Sequence, residues 1–203
     1  MQLYPIAKGI VRSFLSLYHR VDIIGRKRVP TEGGLVIIGN HISNLDPVYI
    51  GGACPRPVHY MAKQELFNHS GLAKLIRALG AFPVNREKPS IKTIKTAIQY
   101  LKDGEVIGLF PEGARKGSAE ELGELKQGAA YFAVKANCPV LPFFISGSEA
   151  ALPKGKLFIR PTKVTIEIGE PIYPPQDMKT SEQQTYISQE IMNQLRNFRV
   201  KNS

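Results

Sequence analysis

The segment His41 to Asp46 contains a histidine and an aspartate that could together move a proton. They follow the apolar run Leu35–Gly39, which has the composition of a buried strand. If a helix begins near Asp46 and Pro47, where proline suits the first helical position, the carboxylate can reach back to the imidazole. That contact would leave the other ring nitrogen free to accept a hydroxyl proton. The spacing alone favours a plainer interpretation, in which Asp46 caps the helix and His41 is an ordinary strand-end histidine or a metal ligand.

A second polar block, Phe-Pro-Glu-Gly-Ala-Arg at 110–115, also follows an apolar run. Arg115 could bind a phosphate through paired N–H donors, and Gly113 would let the backbone approach a ligand closely. A surface turn with an internal Glu112–Arg115 pair is an equally good interpretation of this block by itself.

Two further blocks are less specific. Residues 80–86 form a short apolar stretch that ends in Arg86, and a single arginine of this kind is most often a solvated charge. Arg86 and Arg115 could build a phosphate pocket if the strands that precede them are neighbours. Residues 138–143 form an apolar strand bracketed by prolines, for which a plain core or edge strand is the stronger interpretation.

These four blocks, in this order, resemble those of the glycerolipid acyltransferase family, typified by bacterial 1-acylglycerol-3-phosphate acyltransferases. The resemblance covers roughly half the chain, and the ordered set is far more specific than any one block. The HX4D motif of the family falls on His41 and Asp46, and its arginine-ended block falls on Arg86. Its FPEGTR-like block falls on 110–115, and its proline-containing fourth block falls on 140–143.

The resemblance implies that His41 deprotonates an acceptor hydroxyl while Asp46 orients it, and that the alkoxide attacks a thioester directly. The donor would be acyl-CoA or acyl-carrier protein, and no cofactor or metal is expected. No covalent intermediate is expected either, because there is no GxSxG segment and neither Cys54 nor Cys138 lies beside a plausible base in the sequence. The two cysteines also lack the companions that a disulfide framework or a zinc site would need, and a reducing cytosol fits them best.

The resemblance further implies that Arg86 and Arg115 hold the phosphate of the acceptor, with Glu112 and Gly113 shaping the same pocket. The expected reaction acylates 1-acyl-sn-glycerol 3-phosphate to phosphatidic acid in phospholipid biosynthesis. Ala114 stands where many members of the family have threonine, so the sequence specifies the reaction better than the acceptor. Glycerol 3-phosphate, another lysophospholipid or a lyso-aminolipid therefore remain alternative acceptors.

The net charge of the 203-residue chain is +10, with a pI near 9.6, which favours anionic partners. The basic residues are spread along the chain and do not form a detachable arm. An anionic membrane surface, a phosphorylated lipid and an acidic acyl donor all suit this charge. A non-enzymatic lipid-binding or nucleic-acid-binding domain is a weaker alternative, because the sequence lacks a helix-turn-helix or RNP-like segment, and no nucleic acid is expected as a partner.

Short apolar runs alternate with helical patterns, which predicts a single α/β domain over 1–203 with a mixed or largely parallel sheet flanked by helices. The catalytic blocks occupy 35–145. Helical periodicity predicts helices over Ile91–Leu101, Leu125–Ala136 and 180–200. The predicted strands are Val21–Gly25, Leu35–Gly39, Val58–Met61, Val106–Phe110, Val140–Ile145 and Val164–Ile168.

The N-terminal residues 1–20 have the spacing of an amphipathic helix. Such a helix could dock on the protein core, or it could lie in a membrane interface, where aromatic and basic residues are both favoured. No stretch of the sequence approaches the length of a bilayer-spanning segment. Because the expected acceptor is an amphiphile, we expect peripheral attachment through this helix at the cytoplasmic face of the cell membrane.

Overall fold

The computed structural model describes residues 9, 13, 17–85, 90–110, 119–153 and 158–201, and within them seven strands form one sheet. The strands are β1 (Arg20–Ile24), β2 (Leu35–Gly39), β3 (Val58–Lys63), β4 (Ala81–Val84), β5 (Val106–Leu109), β6 (Val140–Ser146) and β7 (Lys163–Ile168). Their order across the sheet is β1-β7-β6-β2-β5-β3-β4. The five strands from β6 to β4 run parallel, β7 is antiparallel to β6, and β1 is parallel to β7. The prediction of a mixed, largely parallel sheet is confirmed.

Helices cover both faces of this sheet. They are α1 (Asp46–Ala53), α2 (Ser70–Ala78), α3 (Ile91–Lys102), α4 (Ala119–Ala136), α5 (Ser148–Ala151) and α6 (Thr180–Lys201). Short 3-10 turns occupy Arg26–Arg28 and Gln64–Phe67. The predicted helices at 91–101, 125–136 and 180–200 are present, although α4 begins earlier than its pattern indicates.

The central strand β2 is buried at all five positions, because β5 and β6 flank it and helices pack on both of its faces. Alternate residues of a strand point to opposite faces. Leu35 and Ile37 therefore pack in the cluster that contains Tyr49 of α1. Val36 and Ile38 pack in the opposite cluster, formed with α3, α4 and α6. The loop after β2 is thus anchored on a rigid, buried support.

The ends of the predicted strands agree with the structure to within two residues. The sequence patterns do not predict α2, in which Gly71 next to the first residue lowers the helical propensity. The fourth block becomes β6, an interior strand of the sheet, so of the two alternatives, a core strand or an edge strand, the core strand is confirmed.

The predicted amphipathic helix at 1–20 lies for its larger part outside the described residues. Within the part of the chain that the structure describes, no helix has the length and the apolar character needed to cross a membrane.

Candidate active site

The first polar block and Phe110, the first residue of the second block, meet at the carboxyl end of two adjacent strands. Ile38 of β2 pairs with Leu109 of β5, so the residues that follow these strands emerge side by side. The ring of Phe110 lies against the imidazole of His41, with 5.1 Å between ring centroids and an interplanar angle of 43°. Tyr60 of β3 stacks on Phe110, with 5.7 Å between the ring centroids. His41 and Phe110, about 70 residues apart in the sequence, therefore lie together at the end of the parallel strands.

His41 and Asp46 form the predicted contact. Their Nδ1 and Oδ2 atoms lie 3.0 Å apart, and the aspartate is completely buried. Asp46 Oδ2 also accepts hydrogen bonds from the backbone N–H groups of Ile42 and Ser43, each at 2.7 Å. Asp46 is the first residue of α1, with Pro47 after it, and its carboxylate binds the turn before the helix. The plainer interpretation, in which Asp46 caps the helix itself, is therefore wrong.

The hydrogen-bond pattern assigns the tautomer of His41. A carboxylate only accepts hydrogen bonds, so Nδ1 of a neutral imidazole carries the hydrogen and Nε2 presents its lone pair. The side chain of His41 is 20% exposed, whereas that of Asp46 is fully enclosed. This arrangement suits a general base, because the buried carboxylate stabilises the imidazolium that forms when Nε2 takes a proton.

Two residues that the sequence analysis did not single out support this pair. The side chain of Asn40 makes two hydrogen bonds, both of 2.7 Å, to the backbone N–H and C=O of Ile145 in β6. The hydroxyl of Ser148 donates to Asp46 Oδ1 at 2.6 Å. More than 100 residues separate the partners of each contact, so no local spacing in the sequence could reveal them.

A second buried polar chain runs from α1 to the start of β1. The hydroxyl of Tyr49 donates to Nδ1 of His19 at 2.9 Å, and Nε2 of His19 donates to the carbonyl oxygen of Arg160 at 3.1 Å. Burial raises the pKa of Tyr49, and the negative charge of Asp46 raises it further. Burial lowers the pKa of His19, and the hydrogen bond to Arg160 opposes that shift. Both groups are therefore neutral near pH 7, and they link α1 to the N-terminal part of the chain.

The predicted phosphate-binding residues, Arg86, Glu112, Gly113 and Arg115, lie outside the described residues. Their positions along the chain place them after β4 and β5, and β3 lies between these two strands. The strands that precede the two arginines are therefore not neighbours. Their ends lie two strand spacings apart, which is about 10 Å in total. A cavity of about 380 Å³ adjoins the end of β4 and is lined by residues on both sides of 86–89, among them Asn85, Ser90 and Arg77.

The two cysteines are buried, and no disulfide joins them. Burial raises the pKa of the Cys138 thiol to about 12, so this residue stays protonated and is a poor nucleophile at neutral pH. Within the described ranges, no three His, Cys, Asp or Glu side chains gather as a metal site would require.

The fold and the site together define a class of protein: an α/β domain that presents a histidine–aspartate pair at the carboxyl end of a central strand. Residues 20–146, more than half of the chain, match the family described as Acyltransferase, and this range contains both residues of the pair. The chain belongs to the acyltransferase family.

Several proteins that resemble the chain share one name. The 1-acyl-sn-glycerol-3-phosphate acyltransferase of Bacillus subtilis is 34% identical over 172 residues, which cover 84% of this chain and 83% of that protein. The human 1-acyl-sn-glycerol-3-phosphate acyltransferase beta is 29% identical over 80% of this chain and 59% of its own length. The crystal structure of the 1-acyl-sn-glycerophosphate (LPA) acyltransferase, PlsC, from Thermotoga maritima matches with a TM-score of 0.73 and 28% identity, covering 97% of this chain and 79% of that one.

Proposed function

We propose that the chain transfers a fatty acyl group from an acyl thioester to the free hydroxyl of 1-acyl-sn-glycerol 3-phosphate, giving phosphatidic acid. The relatives named above carry this acceptor in their names. The observation that carries the proposal in this chain is the 3.0 Å contact between His41 Nδ1 and the buried Asp46 carboxylate. It prepares Nε2 to accept a proton from a hydroxyl group, as acyl transfer to an alcohol requires.

In the proposed mechanism, Nε2 of His41 takes the hydroxyl proton as the acceptor oxygen attacks the thioester carbonyl. The C–O bond forms, the tetrahedral intermediate collapses, and the C–S bond breaks. The imidazolium then returns its proton to the departing thiolate, so the pair ends the cycle in its starting state. Asp46 holds the tautomer and stabilises the imidazolium throughout. The reaction needs no cofactor, and the donor is acyl-CoA or acyl-carrier protein.

The phosphate of the acceptor is proposed to bind Arg86 and Arg115, with Glu112 and Gly113 shaping the pocket. A guanidinium group matches the geometry of a phosphate through two parallel N–H donors. The net charge of +10 supports the proposal, since it raises the local concentration of an anionic acceptor and of an acidic donor.

Peripheral attachment to the cytoplasmic face of the membrane remains a proposal as well. The side chains of Leu17 and Phe158 are 87% and 84% exposed. The segments that carry them meet where the hydroxyl of Tyr18 donates to the carbonyl oxygen of Ile159 at 3.1 Å. Exposed apolar and aromatic side chains in a basic protein suit the interface of an anionic bilayer.

Vesicle cosedimentation tests the attachment. A chain that lacks residues 1–18 should bind vesicles containing phosphatidylglycerol less tightly than the intact chain, and Phe158→Ser should weaken binding further. Ile91→Ser removes an apolar side chain of similar exposure from the start of α3 and is the matched control. If the folded, shortened chain binds these vesicles as tightly as the intact chain, the proposed attachment is refuted.

Acyl transfer itself is tested with the purified protein, a panel of acceptors and both donors. The panel contains 1-acyl-sn-glycerol 3-phosphate, glycerol 3-phosphate and a lysophospholipid without a terminal phosphate. We expect the first acceptor to give the highest kcat/KM, and His41→Ala to lower kcat by about 10²–10⁴-fold, the usual contribution of a general base. His69→Ala, which alters an exposed histidine, should leave the rate unchanged. A fully active, folded His41→Ala protein would refute the mechanism.

A further inference from the structure

The hydroxyl of Ser148 reaches the active site from a distant part of the chain. Ser148 is completely buried and stands at the first position of α5, immediately after β6. Its Oγ lies 2.6 Å from Asp46 Oδ1, which is the short distance of an O–H···O bond to a carboxylate. A buried contact of this kind between residues 102 positions apart depends on the fold as a whole.

Serine at the start of a helix often caps the helix, but Ser148 does not cap α5. The N-cap position of α5 is Gly147, and no side chain caps the helix. Gly147 has a φ of 84°, a left-handed conformation that favours glycine. A Cβ atom at this position would also collide with the backbone carbonyl oxygen of Lys163. The sharp turn that only glycine permits therefore brings the Ser148 hydroxyl to Asp46.

The two oxygens of the Asp46 carboxylate are held from different sides. Oδ2 accepts from His41 and from the backbone of Ile42 and Ser43, which all belong to the loop after β2. Oδ1 accepts from Ser148, which belongs to the turn after β6. A carboxylate held at both oxygens cannot rotate about its terminal bond, so Oδ2 stays directed at Nδ1 of the imidazole. Ser148 also supplies a donor to an oxygen that has no access to water.

The end of β6 also holds the first residue of the loop between β2 and α1, which carries His41. Asn40, next to His41, is bonded through both of its amide atoms to Ile145, three residues before Ser148. One short segment of β6 and its turn thus fixes the loop on both sides of the histidine. The backbone pairing of Ile38 and Gly39 with β6 continues the same attachment.

We propose that Ser148 is a positioning residue of the active site, whose hydroxyl aligns the Asp46 carboxylate with His41. The proposal rests on the proposed role of His41 and Asp46 in acyl transfer. Ser148 does not reach the substrate, and it acts only through Asp46.

Ser148→Ala removes the donor and should lower kcat by about ten- to a hundredfold, the range expected for a hydrogen bond to a charged group, with little change in KM for either substrate. Ser146→Ala, which removes the same atom two residues earlier, is the matched control and should keep the wild-type rate. Ser148→Cys nearly keeps the volume of the side chain but supplies a much weaker donor. It replaces Ser148→Ala in the same assay if the alanine variant is too unstable to measure.

A double-mutant cycle with Asp46→Ala, which leaves no side-chain partner for the Ser148 hydroxyl, separates positioning from a general effect on folding. If Ser148 acts through Asp46, Ser148→Ala should lower kcat less than about threefold in the Asp46→Ala background, since partners in one network are not additive. An equal loss in both backgrounds, or a wild-type kcat in Ser148→Ala, would overturn the proposal. A wild-type rate in the His41→Ala variant would instead refute the proposed mechanism of acyl transfer. The experiments therefore distinguish failure of the Ser148 proposal from failure of that mechanism.

Discussion

Replacement of Asp46 by asparagine tests the charge of the active-site carboxylate with the least disturbance of its surroundings. Two backbone N–H groups, of Ile42 and Ser43, point at Oδ2 from 2.7 Å. The amide oxygen of the asparagine must occupy that place, because the amide NH₂ would oppose two donors there. The NH₂ group then faces Ser148, whose hydroxyl can accept a hydrogen bond. His41 keeps its tautomer in this variant and loses only the negative charge beside it.

The size of the effect follows from that charge. A hydrogen bond to a charged group contributes about 1.5–3 kcal/mol and a neutral one about 0.5–1.5 kcal/mol, so the lost difference is about 1–1.5 kcal/mol, or roughly tenfold in rate. Two unit charges about 4 Å apart interact by about 4 kcal/mol at an effective dielectric constant of 20, which sets an upper limit of roughly a thousandfold. We expect kcat of Asp46→Asn to fall between these limits while KM changes little.

The assay is the steady-state transfer of a radiolabelled acyl group, with the midpoint of thermal unfolding measured in parallel. Asp46→Ala is the informative comparison, since it leaves the N–H groups of Ile42 and Ser43 without their acceptor, and an unsatisfied buried donor such as that of Ser43 costs about 1–3 kcal/mol. We expect Asp46→Ala to lower the unfolding midpoint clearly more than Asp46→Asn. A wild-type kcat in Asp46→Asn would refute the electrostatic role of the carboxylate, and equal midpoints for the two variants would refute its role in holding the loop.

Three further variants test the surroundings of the site. Asn40→Ala leaves the N–H and C=O of Ile145 without their partner and should lower the free energy of unfolding by about 2 kcal/mol in urea titrations; a loss near zero would contradict the loop anchorage. Tyr60→Phe removes the hydroxyl that donates to the carbonyl oxygen of Pro47 at 2.8 Å and should cost about 1 kcal/mol by the same measurement, with kcat nearly unchanged. His19 has a pKa below its ordinary value of 6.5, so the unfolded chain takes up a proton before the folded one as the pH falls. Stability should therefore decline from about pH 7 to pH 5, and His19→Gln should show a shallower decline in unfolding midpoint; equal slopes would contradict the assignment.

Local patterns were sufficient to predict much of the fold. The buried run Leu35–Gly39 and the period of Ile91–Leu101 each depend on neighbouring residues alone, and both elements are found where the patterns place them. The contact between His41 and Asp46 was also predictable, because the two residues lie within one turn of the chain and Pro47 marks the start of the helix. Interactions of this kind require no knowledge of distant segments.

The order of the strands could not be obtained in this way. The proximity of Phe110 to His41 follows from the pairing of β5 with β2, whereas the strand before Arg86 lies two places away from β5. Hydrophobic periodicity gives the faces of each strand but contains no information about its neighbours. Whether the strands before Arg86 and Arg115 are neighbours was therefore left open by the sequence, and the structure shows that β3 lies between them.

The four blocks in their order resemble those of the glycerolipid acyltransferase family, and from the amino-acid sequence it was this resemblance that indicated acyl transfer by His41 and Asp46. The enclosure of Asp46, the anchorage of Asn40 on β6 and the hydroxyl of Ser148 emerged from the folded chain alone. The physical reason is that a proton-transfer pair can be assembled from neighbours along the chain. The fixed orientation and low exposure that make the pair effective come from segments more than 100 residues away, and only the pairing of β2 with β6 brings them together.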